Sequence, residues 1–201
     1  WAAPEPLFYV HGFVFSAWFG LLGAQAWLIR AGSVALHRRL GYAGLSIATA
    51  NVALWTYSAL AAANRPGGFV ETPMPPEQFL IVPLRDMATF AVGIGLGIAR
   101  RNRAASHKRW MLLASITLLG APLARLAFML EWPAPVIDIG SDVLFVGALA
   151  AWDLDTQRKM SAETMWGGGA IIVSKLVAAP FAATPAWTGA ALWMMSFAGP
   201  P

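Results

Sequence analysis

Apolar residues dominate this chain in runs of about 20 residues that recur along its whole length. A helical run of about 20 residues crosses the ~30 Å hydrocarbon core of a bilayer. Backbone groups find no water there, so only helices and closed barrels span it, and these runs lack the alternation of barrel strands. The pattern predicts an all-α integral membrane bundle, a single transmembrane domain over residues 1–201. Its six spanning helices are expected at residues 7–29, 41–63, 79–99, 110–130, 135–152 and 165–184.

The remaining C-terminal stretch is too short to cross the membrane again. Thr184 followed by Pro185 is typical of a helix start, with a capping hydroxyl and a proline at the first helical position. We therefore expect a short interfacial helix over residues 185–198, which places Trp187 and Trp193 near the membrane surface.

Basic residues give the predicted bundle an orientation. The opposite loops together carry only Arg65, whereas the loops after the first, third and fifth helices are strongly basic. Cytoplasmic loops are enriched in Lys and Arg, so these three loops are predicted to be cytoplasmic, with both termini on the outer side of the membrane. The basic loop residues are Arg30, Arg38, Arg39, Arg100, Arg101, Arg103, Lys108, Arg109, Arg158 and Lys159.

Composition narrows the chemistry further. A net charge of +4 would suggest nucleic acid as a partner of a soluble protein, but here the charge lies at helix ends, so we expect the lipid bilayer and no nucleic acid. The chain has no cysteine, which excludes disulfides, thiolate catalysis and iron–sulfur clusters. It also lacks the common hydrolase, metalloprotease and dinucleotide-binding motifs. The sequence therefore predicts no catalytic residue and no metal site.

A short motif occurs twice. His37 and His107 each follow a helix-ending arginine by seven residues, precede two basic residues and stand before the next helix. The match suggests that helices one and two are a tandem copy of helices three and four, as parallel repeats in other membrane bundles are.

These motifs carry a resemblance to a known family. His-Arg-Arg-Leu-Gly at 37–41 and His-Lys-Arg-Trp-Met at 107–111, with Arg125 further along the fourth helix, resemble an uncharacterised family of bacterial polytopic membrane proteins that share a domain of unknown function. The resemblance covers roughly the first four helices. It implies a bacterial inner-membrane protein and brings no established activity.

Six ionisable residues fall inside the predicted spans. Each would cost ~2.5–3.5 kcal/mol at the bilayer centre, so they should not face lipid unpaired. We expect Asp86 and Asp142 to meet Arg125, with Lys175 or Arg85 nearby. The set is Arg85 and Asp86 in the third helix, Arg125 in the fourth, Asp138 and Asp142 in the fifth, and Lys175 in the sixth.

Two interpretations of these charges stay open. One is a polar cavity, open to the outside, that binds a small ligand or relays protons. The other is a balanced ion-pair network that locks the helices together. His11, near the outer end of the first helix, either joins this group as a proton acceptor or is a single satisfied histidine.

The paired histidines also have two interpretations. His37 and His107 are interfacial anchors that contact lipid headgroups, or they ligate one haem b iron from two sides. Haem is the only cofactor that the sequence suggests. In either case the neighbouring basic residues would bind phosphate or haem propionates, and these are Arg38, Arg39, Lys108 and Arg109.

Three functional hypotheses follow from these features. The first is a non-catalytic membrane protein that binds a small ligand or a partner, including an accessory subunit of a larger membrane complex. The second is a proton- or ion-coupled transporter that uses Asp86, Arg125 and Asp142. The third is a haem b electron-transfer protein that uses His37 and His107.

Overall fold

The computed structural model describes residues 6–69, 72 and 74–198, and within these ranges it is helical without any β-strand. The all-α class is therefore confirmed. Five helical stretches are long and apolar enough to cross a membrane. They are α1 (Pro6–Arg30), α2 (Val34–Ala63), α3 with α4 (Pro76–Phe79 and Ile81–Ala99), α5 with α6 (Ala104–Thr117 and Gly120–Met129), and a π-helix with α8 (Glu163–Gly168 and Gly169–Ala182).

The predicted fifth span corresponds to α7, Ala134–Gln157. This helix is 24 residues long but is not among the five apolar stretches. It carries aspartate at four positions, two near the beginning and two near the end. They are Asp138, Asp142, Asp153 and Asp155.

The last helix confirms the predicted helix start. Helix α9 runs from Pro185 to Ser196, and Thr184 Oγ1 accepts a hydrogen bond from the Trp187 backbone N–H at 3.3 Å. Trp187 Nε1 in turn donates to the backbone oxygen of Glu77 at 2.9 Å, which ties α9 to α3.

Two spans are interrupted, and proline explains both breaks. Pro83 and Pro122 are each the third residue of the second part of their span. A proline has no N–H for the carbonyl four residues earlier and its ring crowds that carbonyl. The affected carbonyls belong to Phe79 and Leu118, which lie where α3 and α5 give way to α4 and α6.

Helices α2 and α5 begin several residues earlier than predicted, at Val34 rather than 41 and at Ala104 rather than 110. The first basic loop is consequently a tight turn in which Gly32 adopts φ +74°. His37 and His107 therefore lie within the first turn of their helices, not in loops. Both are the fourth residue of a helix, as a repeat requires, although the repeat itself stays a prediction.

The helices pack in a chain of neighbours in which α1 contacts α2, α2 contacts α4, α4 contacts α5 and α6 contacts α7. Helices α4 and α5 approach closely at Gly93, which has no side chain: a Cβ there would lie only 2.8 Å from the Ala114 Cβ. Trp18 of α1 completes this layer: its ring meets Phe90 edge-on at 5.2 Å and its Nε1 donates to Ser115 Oγ at 3.1 Å.

Candidate functional site

Five of the six ionisable residues that the sequence predicts inside spans meet in one place, between α4, α7 and α8. We call them the outer charge cluster, and they are Arg85, Asp86, Asp138, Asp142 and Lys175. Lys175 Nζ lies 2.6 Å from Asp138 Oδ1 and 3.0 Å from Asp142 Oδ2. One ammonium group on α8 therefore holds two carboxylates that lie one turn apart on the same face of α7.

Arg85 connects α4 to the same group. Its Nη2 and Nε donate to Asp86 Oδ1 at 2.8 and 3.1 Å, and its Nη2 lies 3.9 Å from Asp138 Oδ2. The expectation that Lys175 or Arg85 lies near Asp86 and Asp142 is thus met by both cations.

A glycine makes room for this arrangement. A Cβ on Gly120, the first residue of α6, would clash with Asp138 Oδ1 and lie 2.9 Å from Lys175 Nζ. Only a residue without a side chain lets the α6 backbone approach the ion pair this closely.

The cluster is buried instead of lining an open cavity. Asp142 is 0%, Asp86 3% and Lys175 5% exposed, and only the side chains of Arg85 and Asp138 reach 11% and 17%. Its five groups comprise two cations and three carboxylates. Asp142 Oδ1 is buried and has no hydrogen-bond partner among the described residues.

Arg125 does not join this cluster, contrary to the expectation that it would meet Asp86 and Asp142. It is exposed on α6, and no carboxylate of the described residues forms an ion pair with it. The prediction used depth along a straight helix. Because the helix is interrupted before Gly120, spacing from α5 no longer gives the face on which Arg125 lies.

His11 also stands apart from the ion pairs of the outer charge cluster. Its ring meets Trp55 of α2 edge-on at 5.7 Å, and Arg125 is its electrostatic neighbour. Its Nδ1 is buried without a hydrogen-bond partner among the described residues. His11 is therefore not a member of the ion-pair cluster, but its Nδ1 without a partner does not fit a satisfied histidine either.

His37 and His107 lie side by side, as facing copies of a repeat would. Their ring centroids are 6.3 Å apart at an interplanar angle of 80°. His107 Nδ1 lies 2.8 Å from the Gly97 backbone oxygen. A carbonyl oxygen only accepts, so Nδ1 carries a proton, and in the neutral imidazole the free lone pair is then on Nε2.

The basic residues beside this pair have different surroundings. Arg38, Arg39 and Lys108 are exposed, as binding to a phosphate or a propionate requires. Arg109 was predicted to share that role, and the structure contradicts this. It is only 4% exposed, and its Nη2 and Nε both contact Asp153 Oδ1 of α7.

Sequence reasoning missed this second ion pair. Asp153 is 0% exposed and is also held by Thr164 Oγ1 at 2.7 Å and by the Ser161 backbone N–H at 3.1 Å. The predicted fifth helix ends one residue before Asp153, so the prediction places Asp153 in the following loop, whereas α7 continues to Gln157. The depth of Asp153, equal to that of Arg109 at the basic ends of the helices, was the available signal.

Within the described ranges, no group of three or more His, Cys, Asp or Glu side chains is placed to hold a metal ion. Comparisons with family models, with curated proteins and with solved structures give no match. The sites above are therefore interpreted from their geometry alone.

The Arg109–Asp153 pair leads to a stability prediction. Asp153→Asn leaves the Arg109 guanidinium buried without its counter-charge, which typically costs about 3–5 kcal/mol. The matched control is Asp155→Asn, because Asp155 is exposed on the same helix and its substitution should change stability by less than about 0.5 kcal/mol. Unfolding in mixed micelles with increasing SDS measures both. Equal stabilities of the two variants would contradict the pairing.

Proposed function

We propose that this chain is a non-catalytic polytopic protein of the bacterial inner membrane that binds a partner subunit of a larger membrane complex. The observation that carries the proposal is Arg125, a charged residue on the exposed surface of a membrane-spanning stretch. The burial of the outer charge cluster favours a partner over a small ligand bound at that cluster.

The proposed topology has six spans, which are the five apolar stretches and α7, the fifth span in chain order. Asp138, Asp142 and Asp153 are each in contact with a cation from a neighbouring helix, so these three of its four aspartates are not left to face lipid. The basic loops then lie in the cytoplasm and both termini in the periplasm, with α9 at the outer interface.

Arg125 supports a partner because its charge is not compensated within the described part of the chain. An arginine inside a span costs several kcal/mol unless an acidic group or water meets it. Arg125 also stands among large apolar side chains on the same exposed face of α6, where Leu126 is 50% and Met129 75% exposed. A transmembrane helix that carries a carboxylate in its outer half would cover these residues and neutralise the charge.

Substitution of Arg125 tests this. Arg125→Leu should dissociate the complex, whereas Arg125→Lys, which keeps the charge, should retain part of it. Arg39→Leu is the matched control, since Arg39 is an exposed arginine at the other end of a span. The measurement is the size of the complex extracted from native membranes in a mild detergent. An unchanged size for Arg125→Leu would overturn the proposal. A wild-type protein that migrates as a monomer with bound lipid would also overturn it and would indicate a lipid phosphate as the partner of Arg125.

A second candidate function, electron transfer through haem b, is favoured by the histidine pair. His37 and His107 come from two helices at the same depth, and the Gly97 contact leaves His107 Nε2 free to ligate. A donor to a backbone carbonyl is the usual support of a metal-bound imidazole. Arg38, Arg39 and Lys108 surround the pair with exposed positive charge that suits propionates.

The visible spectrum of the purified protein tests the haem candidate. Expression with added haem precursor should give a Soret band that His37→Ala and His107→Ala each abolish. His11→Ala is the control and should keep the band, because His11 lies near the outer end of α1. Absence of a Soret band in the wild type, or its survival in both variants of the pair, would exclude this function.

A further inference from the structure

The outer charge cluster is one cation short. The charged groups that face Asp142 are Lys175 of α8, Asp138 of its own helix and Arg85 of α4, and Asp86 completes the set. If every group were ionised, three carboxylates would face two cations in a membrane-embedded site. A net charge buried in that way is strongly unfavourable, because neither lipid nor protein replaces the lost hydration.

The three carboxylates are not equally compensated. Asp138 has Lys175 at 2.6 Å and Arg85 at 3.9 Å, and Asp86 accepts two hydrogen bonds from Arg85. Asp142 forms an ion pair only with Lys175, at 3.0 Å, and it shares that ammonium group with Asp138. Asp142 is therefore the carboxylate with the least positive charge around it.

The free oxygen of Asp142 points to what neutralises it. Asp142 is 0% exposed, and its Oδ1 is buried with no hydrogen-bond donor from the described residues. An ionised oxygen without a donor is among the costliest buried groups, whereas a neutral carboxyl group costs much less. A proton needs no cavity, so it fits a site that is packed closely.

We propose that the outer charge cluster is a proton-binding site and that Asp142 carries the proton in this closed arrangement. The Asp142 carboxylate accepts one proton from a hydronium ion of the aqueous phase: an O–H bond of hydronium breaks, an O–H bond forms on the carboxylate, and a water molecule is left. The cluster is then electrically neutral, with one carboxylate for each cation.

Release of this proton would restore the excess negative charge between α4, α7 and α8. Like charges on Asp138 and Asp142, one turn apart, would then repel and weaken the contact of α7 with its neighbours. The side chains of Arg85 and Asp138, at 11% and 17% exposed, are the members of the cluster nearest the surface. Proton binding is thereby linked to the packing of α7, whether or not Arg125 binds a partner.

Infrared difference spectroscopy of the full chain in lipid bilayers tests the proposal. At neutral pH the wild type should show the carbonyl stretch of a protonated carboxyl group, which shifts in D₂O. Asp142→Asn should lose this band. Asp155→Asn should keep it, because Asp155 is exposed on the same helix. Absence of the band in the wild type would overturn the proposal, and so would its loss in Asp86→Asn but not in Asp142→Asn.

Two further arms keep the result decisive. If a sodium ion were the missing cation, the band would be absent in sodium buffer and would emerge only after sodium is removed, which would also overturn the proposal. Thermal unfolding separates structure from protonation: Asp142→Asn resembles the neutral carboxyl group and should melt near the wild type, whereas Asp138→Asn should melt well below it. Equal destabilisation by both variants would show that Asp142 is ionised.

Discussion

An ionised side chain inside a bilayer is strongly unfavourable unless a counter-charge or water meets it, and the structure depends on how α7 satisfies this constraint. Lys175 and Arg85 meet the outer aspartates of α7, and Arg109 meets Asp153 at the other end. These contacts come from α8, α4 and α5, so charge pairing joins α7 to three further helices besides α6, which packs along it most extensively. The same requirement explains Gly120, since only a glycine lets α6 pass beside the Asp138–Lys175 pair.

The residues that this constraint leaves unsatisfied are the ones that suggest function. Arg125 is exposed on a spanning stretch without an ion pair in the described chain, and Asp142 has a buried oxygen without a donor. A network of ion pairs that only stabilised the fold would not leave these two groups uncompensated. Arg125 therefore indicates an acidic partner outside the chain, and Asp142 indicates a bound proton inside the bundle. The histidine pair is a third site, at the basic ends of α2 and α5.

The hydrophobic runs were sufficient to predict the all-helical class, and Thr184 followed by Pro185 was sufficient to predict where α9 begins, because both depend on local sequence. The earlier starts of α2 and α5 were not predicted, since polar residues such as Arg38 and Lys108 extend a helix without facing lipid. The meeting of Asp138 with Lys175 was only partly predictable from matching depth. Which helix face Arg125 occupies depends on the break before α6, and the partner of Asp153 depends on where α7 ends. Both features depend on tertiary structure, which the periodicity of the sequence does not specify.

The central claim is that paired charges allow α7 to cross the membrane, which brings the number of spans to six. The chain has no native cysteine, so single cysteines report topology without interference. A membrane-impermeant maleimide should label Glu131→Cys, before α7, in intact spheroplasts, and should label Lys159→Cys, after α7, only when the membrane is permeabilised. Labelling of both cysteines from the same side would show that α7 does not cross and would contradict the account.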